Sequence, residues 1–398
     1  MRYAFILGRE SALSTAEILA RLTAEGFGFD RSECRYSEEA LIVETDRPID
    51  TDFFHGLGGS IKYGEVLREM TSLKKDALEI LRSLDRESLD FGISAYGTQT
   101  DRTIGIEIKK VLREDGLSVR VVAPKSGHAL TSVQVDKNKL IEKGMEILLV
   151  RVEGRNFLAK TLAVQAFESF SGRDFGRPGR DSRSGMLPPK LARMMINLAA
   201  APKDGLMLDP FCGSGTVLTE AVLMDHTHLL GTDSSDRAVA DTKKNYTWTI
   251  DKADIRGVRF NALRKDVREV SGKVERGTVS AIVTEPYLGP PQTGRESDQI
   301  IHKIFLELMD LYLGAFEAFS RVLEPGGVVV FAFPVFGQHK HMNLHKELHD
   351  LGFKAEGLLP GKAVETLGVK SATGMIYRRP EQKVGREIFR FRYTPNLK

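Results

Sequence analysis

The stretch Asp209–Thr216, which reads Asp-Pro-Phe-Cys-Gly-Ser-Gly-Thr, decides the fold of the larger part of this 398-residue chain. An apolar segment, residues 206–208, runs into it. A strand that ends in a carboxylate and a glycine-punctuated turn, and then opens a helix, is typical of a doubly wound α/β sheet that presents a nucleotide-like ligand. Only one residue separates the two glycines, so the turn lacks the Gly-x-Gly-x-x-Gly cradle for a diphosphate. The stretch therefore predicts a Rossmann-like domain with a phosphate-free nucleoside cofactor, for which S-adenosylmethionine (SAM) is suitable.

Further acidic residues follow the next predicted strands. Asp233 lies 24 residues after Asp209, Asp266 follows the segment 260–265, and residues 279–283 run into Thr284–Tyr287. The carboxyl ends of parallel strands meet at one edge of an open sheet, where ligands bind. We expect Asp233 to accept hydrogen bonds from the ribose of the cofactor. The alternative is that Asp209 and Asp233 are only turn or N-cap residues, because Asp is favoured at both.

These motifs resemble a known family. The stretch Asp209–Thr216, with Leu187-Pro188 before it and Thr284–Tyr287 after it, is similar to class I SAM-dependent methyltransferases that act on exocyclic amines, above all to the THUMP-containing tRNA guanine-N2 methyltransferases. The likeness covers nearly the whole chain and is strongest over residues 172–336. It implies an α/β fold: a C-terminal Rossmann-like class I methyltransferase sheet with an N-terminal α+β module, ferredoxin-like plus THUMP.

The resemblance assigns roles to individual residues. Asp233 would hold the ribose, Asp266 the adenine amine, and Asp209 with the glycines the methionine portion of SAM. The full cofactor set that it implies is Leu187, Pro188, Asp209, Pro210, Phe211, Gly213, Ser214, Gly215, Thr216, Asp233, Ser234, Asp266 and Val267. The catalytic set that it implies is Thr284, Glu285, Pro286 and Tyr287.

The amine motif departs from the family pattern, which is Asp/Asn-Pro-Pro-Tyr. Thr284-Glu285-Pro286-Tyr287 can be aligned in two ways. Either Thr284 takes the acidic position and Tyr287 stays as the aromatic residue, or Glu285 replaces the acid and the aromatic residue is displaced by one. An aromatic amine is a poor nucleophile, so the site must accept hydrogen bonds from the NH2 group and hold the nitrogen in line with the methyl group. Glu285 can accept these bonds, and Tyr287 can stack on the base.

Composition predicts a multidomain enzyme of a reducing compartment. Apolar residues make up 41% of the chain, and the net charge is +3, which is too balanced to indicate a nucleic-acid protein by itself. Two cysteines, Cys34 and Cys212, exclude a disulfide scaffold. The first ten residues have too short an apolar core for a signal peptide, and no apolar run could span a membrane. We expect a cytoplasmic location, tRNA as partner, no metal, and, as for some relatives of this family, a possible small activator protein.

Two other reactive residue types have plainer interpretations. Methyltransferases that act on pyrimidine carbon use a cysteine nucleophile. Cys212 instead lies in the stretch Asp209–Thr216, called the cofactor turn below, and is interpreted as a small packing residue. His341, His345 and His349 are predicted to line one face of a helix without an acidic partner, which indicates a solvated surface rather than a metal site.

The N-terminal part is predicted to contain a ferredoxin-like unit (1–70) and a THUMP-like RNA-binding domain (71–165), followed by a linker (166–186) and the methyltransferase domain (187–398). Ser14 and Glu17 predict a capping box that opens the first helix, and Ser132–Val135 is read as a strand. At the C-terminal end, residues 354–359 and 374–378 are predicted to close the sheet as an antiparallel pair.

Two clusters of arginine suit phosphate contacts. The first, in the Gly/Ser-rich linker, is predicted to contact RNA or position the domains and comprises Arg173, Arg177, Arg180 and Arg183. The second, near the C-terminus, fits RNA contact and a solvated strand edge equally well and comprises Arg378, Arg379, Lys383, Arg386, Arg390 and Arg392.

Three other functions compete with tRNA methylation. DNA methylation at adenine N6 or cytosine N4 shares the amine chemistry but predicts a target-recognition module. A non-catalytic RNA-binding factor would have lost turnover through the change at Thr284-Glu285, and in that case Glu285→Asp would gain activity. A dehydrogenase is disfavoured, because the glycine spacing does not suit a diphosphate.

Overall fold

The computed structural model describes residues 1–180, 186–337, 340–379 and 382–395. It forms two compact units. The first comprises Met1–Thr15, Glu25–Ser169 and Pro360–Val369. The second comprises Ala16–Ala24, Phe170–Leu359 and Lys370–Lys398.

The N-terminal half of the chain alternates strands and helices. Its elements are β1 (Arg2–Leu7), α1 (Ser11–Ala24), β2 (Arg35–Tyr36), β3 (Ala40–Glu44), α2 (Thr51–His55), β4 (Ser60–Glu69), α3 (Leu73–Arg82), β5 (Ser88–Tyr96), α4 (Ile104–Glu114), β6 (Ser118–Val122), α5 (Ser132–Lys137), β7 (Met145–Val152) and β8 (Arg155–Val164). The strands form one sheet in the order β2-β3-β1-β4-β8-β7-β5-β6. Antiparallel pairing of β4 with β8 joins the strands of residues 1–70 to those of residues 71–165. The two predicted N-terminal units therefore share a sheet, while the boundary between them stays a prediction.

A buried ion pair crosses this sheet. Lys62 Nζ on β4 donates to Glu146 Oε1 on β7 at 2.5 Å, and both side chains are fully buried. Ser94 and Thr161 also donate to Glu146, so the carboxylate is well supplied with hydrogen bonds. Burial lowers the pKa of Lys62, and the neighbouring Glu146 carboxylate opposes that effect. These hydrogen bonds compensate for the desolvation of the two buried charges.

The C-terminal half begins with two helices and continues as a wound sheet. Its elements are α6 (Phe167–Phe175), α7 (Pro189–Ala199), β9 (Leu206–Asp209), α8 (Thr216–Val222), β10 (His228–Asp233), α9 (Asp236–Ala253), β11 (Arg259–Arg264), a 3₁₀ helix (Val267–Gly272), β12 (Val279–Thr284), α10 (Asp298–Val322), β13 (Leu323–Phe336), β14 (Lys340–His341), α11 (His345–Asp350), β15 (Phe353–Ala355), α12 (Gly361–Thr366), β16 (Gly374–Tyr377) and β17 (Val384–Tyr393). The α12 residues belong to the first unit.

The order of strands creates the ligand crevice. The sheet runs β11-β10-β9-β12-β13-β17-β15, with β9 to β13 parallel and β17 antiparallel to β13. The chain winds outward from β9 through β10 to β11, and then returns to β12 on the other side of β9. The carboxyl ends of β9 and β12 therefore flank the topological switch point, where open α/β sheets bind ligands. The interiors of β9 and β12 are buried apolar residues, as both-faces-covered parallel strands require.

Several local predictions were wrong. Ser14 lies inside α1, which begins at Ser11, and its hydroxyl lies 2.9 Å from the carbonyl oxygen of Glu10 rather than capping a helix start. Residues 132–137 form a helix, because Thr131 and Gln134 make a reciprocal capping box that outweighs the alternating pattern. His341 lies in β14, outside α11, and its Nδ1 is 2.7 Å from Glu387 Oε2.

The C-terminal strands also pair differently from the prediction. The strands β15 and β16 do not form a pair with each other, since both pair with β17. The long strand β17 contacts β13 over nine positions, from Val328–Arg392 to Phe336–Val384. It is thus an interior strand of the sheet, and its side chains reach the edge of the crevice. Within the described residues, no helix, α10 included, combines the length and the hydropathy needed to cross a membrane.

Candidate active site

A cavity of about 1000 Å³ opens at the carboxyl ends of β9, β10 and β12. Ligand sites of small molecules commonly occupy 300–1,000 Å³, so the cavity is at the upper end of that range. Most of the predicted site residues line it. They are Leu187, Asp209, Pro210, Phe211, Gly213, Ser214, Thr216, Asp233, Ser234, Asp266, Val267, Glu285, Pro286 and Tyr287.

Three predicted residues do not line the cavity. Pro188 is the residue before α7 and has the extended conformation of a helix N-cap position. Gly215 turns the chain behind the wall of the cavity, where an added Cβ would lie 3.0 Å from Thr242 Cγ2. Thr284 is fully buried at the end of β12. Contact of these three residues with a ligand therefore stays a prediction.

Two glycines in the left-handed backbone conformation and several side-chain hydrogen bonds fix the conformation of the turn after β9. Gly213 and Gly215 have φ values of 52° and 82°, which β-carbon-bearing residues adopt with difficulty. Thr242 on α9 donates to the carbonyl oxygen of Gly213 at 2.8 Å, and Asn245 donates to that of Ser214 at 2.7 Å. The turn is therefore preorganised by α9, which sequence reasoning did not include.

Asp233 makes the turn contacts of one alternative left open by the sequence, and its binding of the ribose stays a prediction. Its Oδ2 accepts from the Gly213 N–H at 3.0 Å and its Oδ1 from the Ser235 N–H at 2.9 Å. These bonds are turn contacts, yet the half-buried side chain also lines the cavity. A carboxylate has about four lone-pair positions, so two acceptor positions stay available for hydroxyl donors. Asp266 likewise accepts from the Arg268 N–H at 2.9 Å and lines the cavity.

Asp209 is the most deeply placed acid of the site. Its side chain accepts from the Thr284 hydroxyl at 2.7 Å and from the Phe211 N–H at 3.3 Å. Burial raises the pKa of Asp209 to about 7, although both hydrogen bonds act in the opposite direction. The Thr284 hydroxyl is thus committed to Asp209, so Thr284 joins the ends of β12 and β9 rather than facing a ligand.

The geometry favours the second alignment of the amine motif. Glu285 follows Thr284 and lines the cavity with Pro286 and the 56% exposed Tyr287. A hydrogen bond from α10 holds the backbone of this motif in place, because the Tyr312 hydroxyl donates to the Tyr287 carbonyl oxygen at 2.7 Å. Glu285 is therefore the carboxylate that the motif offers to the cavity.

Sequence reasoning did not identify Arg386 as the partner of Glu285. It reaches Glu285 from β17, where its Nε donates to Oε2 and its Nη2 to Oε1 at 3.1 Å. The exposed fractions of the two side chains are 6% for Arg386 and 12% for Glu285. The two residues are 101 positions apart, so the pair leaves no local signal in the sequence.

The arginine clusters are mostly engaged within the protein. Arg173 pairs with buried Glu220, and Arg177 donates to the Thr216 hydroxyl. Arg390 and Arg392 both pair with Glu356. These four residues have partners within the protein, and their contact with RNA stays a prediction, while Arg183 lies outside the described residues. The remaining basic residues at the cavity include Arg237, Lys265 and Lys383.

Cys212 behaves as a packing residue. The Cys212 side chain is buried and lies against Gly231, where a Cβ would come 3.2 Å from its Sγ. Burial raises the pKa of the Cys212 thiol, which disfavours a nucleophilic thiolate. No group of three or more His, Cys, Asp or Glu side chains suited to a metal ion occurs among the residues that the structure describes.

Comparison with known proteins shows the family to which this chain belongs. The family model described as RMKL-like, methyltransferase domain matches residues 178–335. A tRNA (guanine(10)-N2)-dimethyltransferase of Methanothermobacter thermautotrophicus is 30% identical over 81% of this chain and 85% of its own length. The enzyme of the same name from Pyrococcus abyssi is 25% identical over 84% of this chain and 88% of its own.

A solved structure shares the fold over the full length. The crystal structure of TrmN from Thermus thermophilus covers 99% of this chain and all of its own, with a TM-score of 0.52 and 16% identity. This likeness confirms the class I methyltransferase fold, and the relatives, with the cavity and its amine motif, confirm the resemblance seen in the sequence. The chain belongs to the tRNA guanine-N2 methyltransferase family.

Proposed function

We propose that this protein transfers methyl groups from SAM to the exocyclic N2 amine of guanosine 10 in tRNA, and that it does so twice at the same nitrogen. One observation carries the chemistry: Glu285 and Tyr287 face the same cavity as Asp233 and the turn Asp209–Thr216. An amine held by the first pair is thus beside a cofactor held by the second. The position and the double transfer are supported by the relatives, which are named for guanine(10) and for dimethylation.

The described residues fit SAM. Asp233 keeps lone pairs for the two ribose hydroxyls, and Asp266 lies where it can accept from the adenine amine. The Gly213 turn offers a backbone without side-chain obstruction, since nothing nearer than 3.9 Å faces an added Cβ there. When bound, SAM supplies an electrophilic methyl group on a sulfonium. Asp209, with a pKa raised to about 7 by burial, is a site where a cationic amine of a ligand would favour ionisation.

The base is oriented by Glu285 and Tyr287. The Glu285 carboxylate accepts hydrogen bonds from the NH2 group, which directs the nitrogen lone pair towards the methyl group. Tyr287 is exposed at the rim and provides a stacking face for the guanine, a contact that contributes about 1–3 kcal/mol. After transfer the nitrogen carries one proton too many, and Glu285 is the carboxylate placed to accept it.

A second transfer is compatible with the same residues. The monomethylated amine still has one N–H, so Glu285 keeps one hydrogen bond with which to orient it. The cavity of about 1000 Å³ has room for a nucleoside cofactor and a guanine that already carries one methyl group.

The N-terminal unit is assigned the choice of tRNA, as a THUMP-like RNA-binding module. In support, it is a separate compact unit with its own eight-stranded sheet in the described residues. The target base must be taken out of its stack to reach the cavity. A nucleic-acid methyltransferase with such a module gains affinity from contacts away from the flipped base. The proposal includes a cytoplasmic location, which suits the two unpaired cysteines.

The position and the number of methyl groups are tested with two unmodified transcripts, a tRNA with guanosine 10 and the same tRNA with adenosine 10. Each is incubated with the protein and SAM, and nucleosides are quantified by mass spectrometry over time. We expect N2-methylguanosine to rise first and N2,N2-dimethylguanosine to replace it, and neither to form on the adenosine 10 transcript. Equal product on both transcripts would contradict the assigned position, and a plateau at the monomethyl stage would contradict the second transfer.

A further inference from the structure

Arg177 is a buried cation that forms no ion pair with a carboxylate among the residues that the structure describes, although Asp174 and Glu220 attract it from a greater distance. It is 5% exposed, and among the described residues no carboxylate lies within ion-pair distance of it. Its Nη1 donates to Thr216 Oγ1 at 2.5 Å and its Nη2 to Met186 Sδ at 3.1 Å, while its Nε is buried without a hydrogen-bond partner. Burying an unpaired guanidinium is costly unless an anion neutralises it. Arg177 therefore indicates that an anion binds nearby.

The neighbouring Arg173 shows the contrast. Its Nε donates to Glu220 Oε1 at 2.5 Å, and Arg193 donates to the other oxygen of the same carboxylate at 3.0 Å. Glu220 is thus committed to these two arginines. Arg173 therefore has a direct ion pair inside the protein, whereas Arg177 has only the more distant attraction of Asp174 and Glu220.

Both partners of Arg177 lie in the wall of the cavity. Thr216 and Met186 line it, next to Ser214 and Gly213 of the cofactor turn. The Thr216 hydroxyl accepts from Arg177, and its own proton has no acceptor among the described residues. A hydroxyl can donate one hydrogen bond in addition to those that it accepts. Because Arg177 donates to the Thr216 oxygen, the Thr216 O–H remains available to donate to a group in the cavity.

The other cations of the cavity are less suited to this anion. Arg237, Lys265 and Arg386 are paired with Asp241, Glu269 and Glu285. Lys383 lies against Gly294 in the segment after the amine motif, where an added Cβ would be 3.4 Å from its Cδ. Arg177 and Thr216 are the cation and the donor that adjoin the cofactor turn.

We infer that Arg177 and Thr216 form the subsite for the carboxylate of the methionine portion of SAM, with Thr216 donating to the carboxylate and Arg177 orienting that hydroxyl and supplying the balancing charge. The inference rests on the proposed cofactor. It assigns a role to a residue that lies just before the segment matched by the family model, which begins at residue 178. Arg177 is a positioning residue, since it acts on the carboxylate through Thr216.

The subsite is tested by ligand binding rather than by activity. S-adenosylhomocysteine carries the amino acid portion, and 5′-methylthioadenosine lacks its amine and carboxylate. Dissociation constants of both are measured by titration calorimetry for the full-length protein and for Arg177→Met, Arg177→Lys and Thr216→Val. The ratio of the two dissociation constants is compared between variants. A general loss of folded protein affects both constants of a variant alike, so the ratio stays informative for a partly destabilised variant.

We expect Arg177→Met and Thr216→Val to weaken S-adenosylhomocysteine about tenfold or more relative to 5′-methylthioadenosine, because each removes a charge-assisted hydrogen bond. Arg177→Lys restores part of the ratio. Arg173→Met, which removes a buried but paired arginine of the same segment, leaves the ratio unchanged, and so does Lys383→Met. An unchanged ratio in Arg177→Met, or a change in Lys383→Met instead, overturns the inference. If the unaltered protein binds neither ligand, the proposed cofactor itself is wrong.

Discussion

Arg386 on β17 and Glu285 at the end of β12 form a two-point, nearly buried ion pair at the wall of the cavity. The guanidinium fork fixes both carboxylate oxygens in one plane. Burial alone would lower the pKa of Arg386, but the Glu285 carboxylate holds it above its usual value. The pair therefore keeps the Glu285 carboxylate in one orientation, as its proposed role as an acceptor for the substrate amine requires.

Replacing Arg386 should impair catalysis as well as stability. Arg386→Met leaves Glu285 buried without its partner, which costs about 3–5 kcal/mol of folding free energy. It also frees the carboxylate to rotate, and a misplacement of ~1 Å can lower the rate ~100-fold. We expect kcat for methyl transfer to fall by at least tenfold at a temperature where circular dichroism shows the variant folded, with S-adenosylhomocysteine binding little changed.

Arg392→Met is the matched control for that variant. Arg392 lies on the same strand and pairs with Glu356, but 37% of its side chain is exposed and the pair is away from the cavity. A pair of this exposure contributes about 0–1 kcal/mol. Equal losses of kcat in both variants would show that β17 acts only through stability and that the Arg386–Glu285 pair has no special role.

Shortening Glu285 should lower activity, although it recreates the acid that is usual in the family. Glu285→Asp withdraws the carboxylate by one methylene from both Arg386 and the cavity, and we expect about tenfold or greater loss of kcat/KM. A non-catalytic binder that had lost turnover through this residue would instead gain activity. Methyl transfer to tRNA by the two proteins, measured side by side, separates the two accounts.

The ionisation of Asp209 should make stability depend on pH. Burial raises its pKa to about 7 from an ordinary value of 3.8, so the folded protein holds this proton more tightly than the unfolded chain. The associated stability is present below about pH 4 and is lost as the pH rises through 7. Asp209→Asn keeps an acceptor for Thr284 and cannot ionise. We expect it to be more stable than the unaltered protein by about 2–4 kcal/mol at pH 8 and by little near pH 4.

Urea unfolding of both proteins between pH 4 and pH 8 measures that difference. The difference between the two proteins removes the contribution of all other titrating groups. A difference that stays constant across this range would mean that Asp209 ionises normally in the folded protein.

Tyr287 should contribute to binding of the base through its ring. Its side chain is 56% exposed at the rim, so Tyr287→Ala is expected to leave the melting temperature nearly unchanged. Loss of stacking should raise KM for tRNA or lower kcat by a combined factor of about ten, from a contact of about 1–3 kcal/mol. Tyr287→Phe keeps the ring and should retain activity. Similar losses in Ala and Phe variants would assign the role to the hydroxyl instead.

The local chemistry of the cofactor turn made most of the site predictable. An apolar strand, an acid and spaced glycines determine their own backbone: Asp209 and Asp233 occupy the expected strand ends, and Gly213 lies in the expected turn. These features depend on residues adjacent in sequence.

What the sequence did not reveal depends on distant contacts. Arg386 was one member of a basic cluster until β17 placed it against Glu285, 101 residues away. Arg173 and Arg177 were predicted to contact RNA or to position the domains, because nothing local in the sequence shows that Glu220 and Thr216 are their partners. The alternation of apolar and polar residues at Ser132–Val135 predicted a strand. The segment forms a helix instead, because Thr131 and Gln134 form a capping box at its start.

The most direct test of the central claim is nucleoside mass spectrometry of unmodified tRNA after incubation with the purified protein and methyl-labelled SAM, with Glu285→Gln as control. Gln keeps the size of Glu285 but accepts at only one oxygen and cannot take a proton. The account predicts labelled N2-methylated guanosine with the unaltered protein and at least a tenfold loss with the variant. Label in another nucleoside, or equal label with Glu285→Gln, would contradict it.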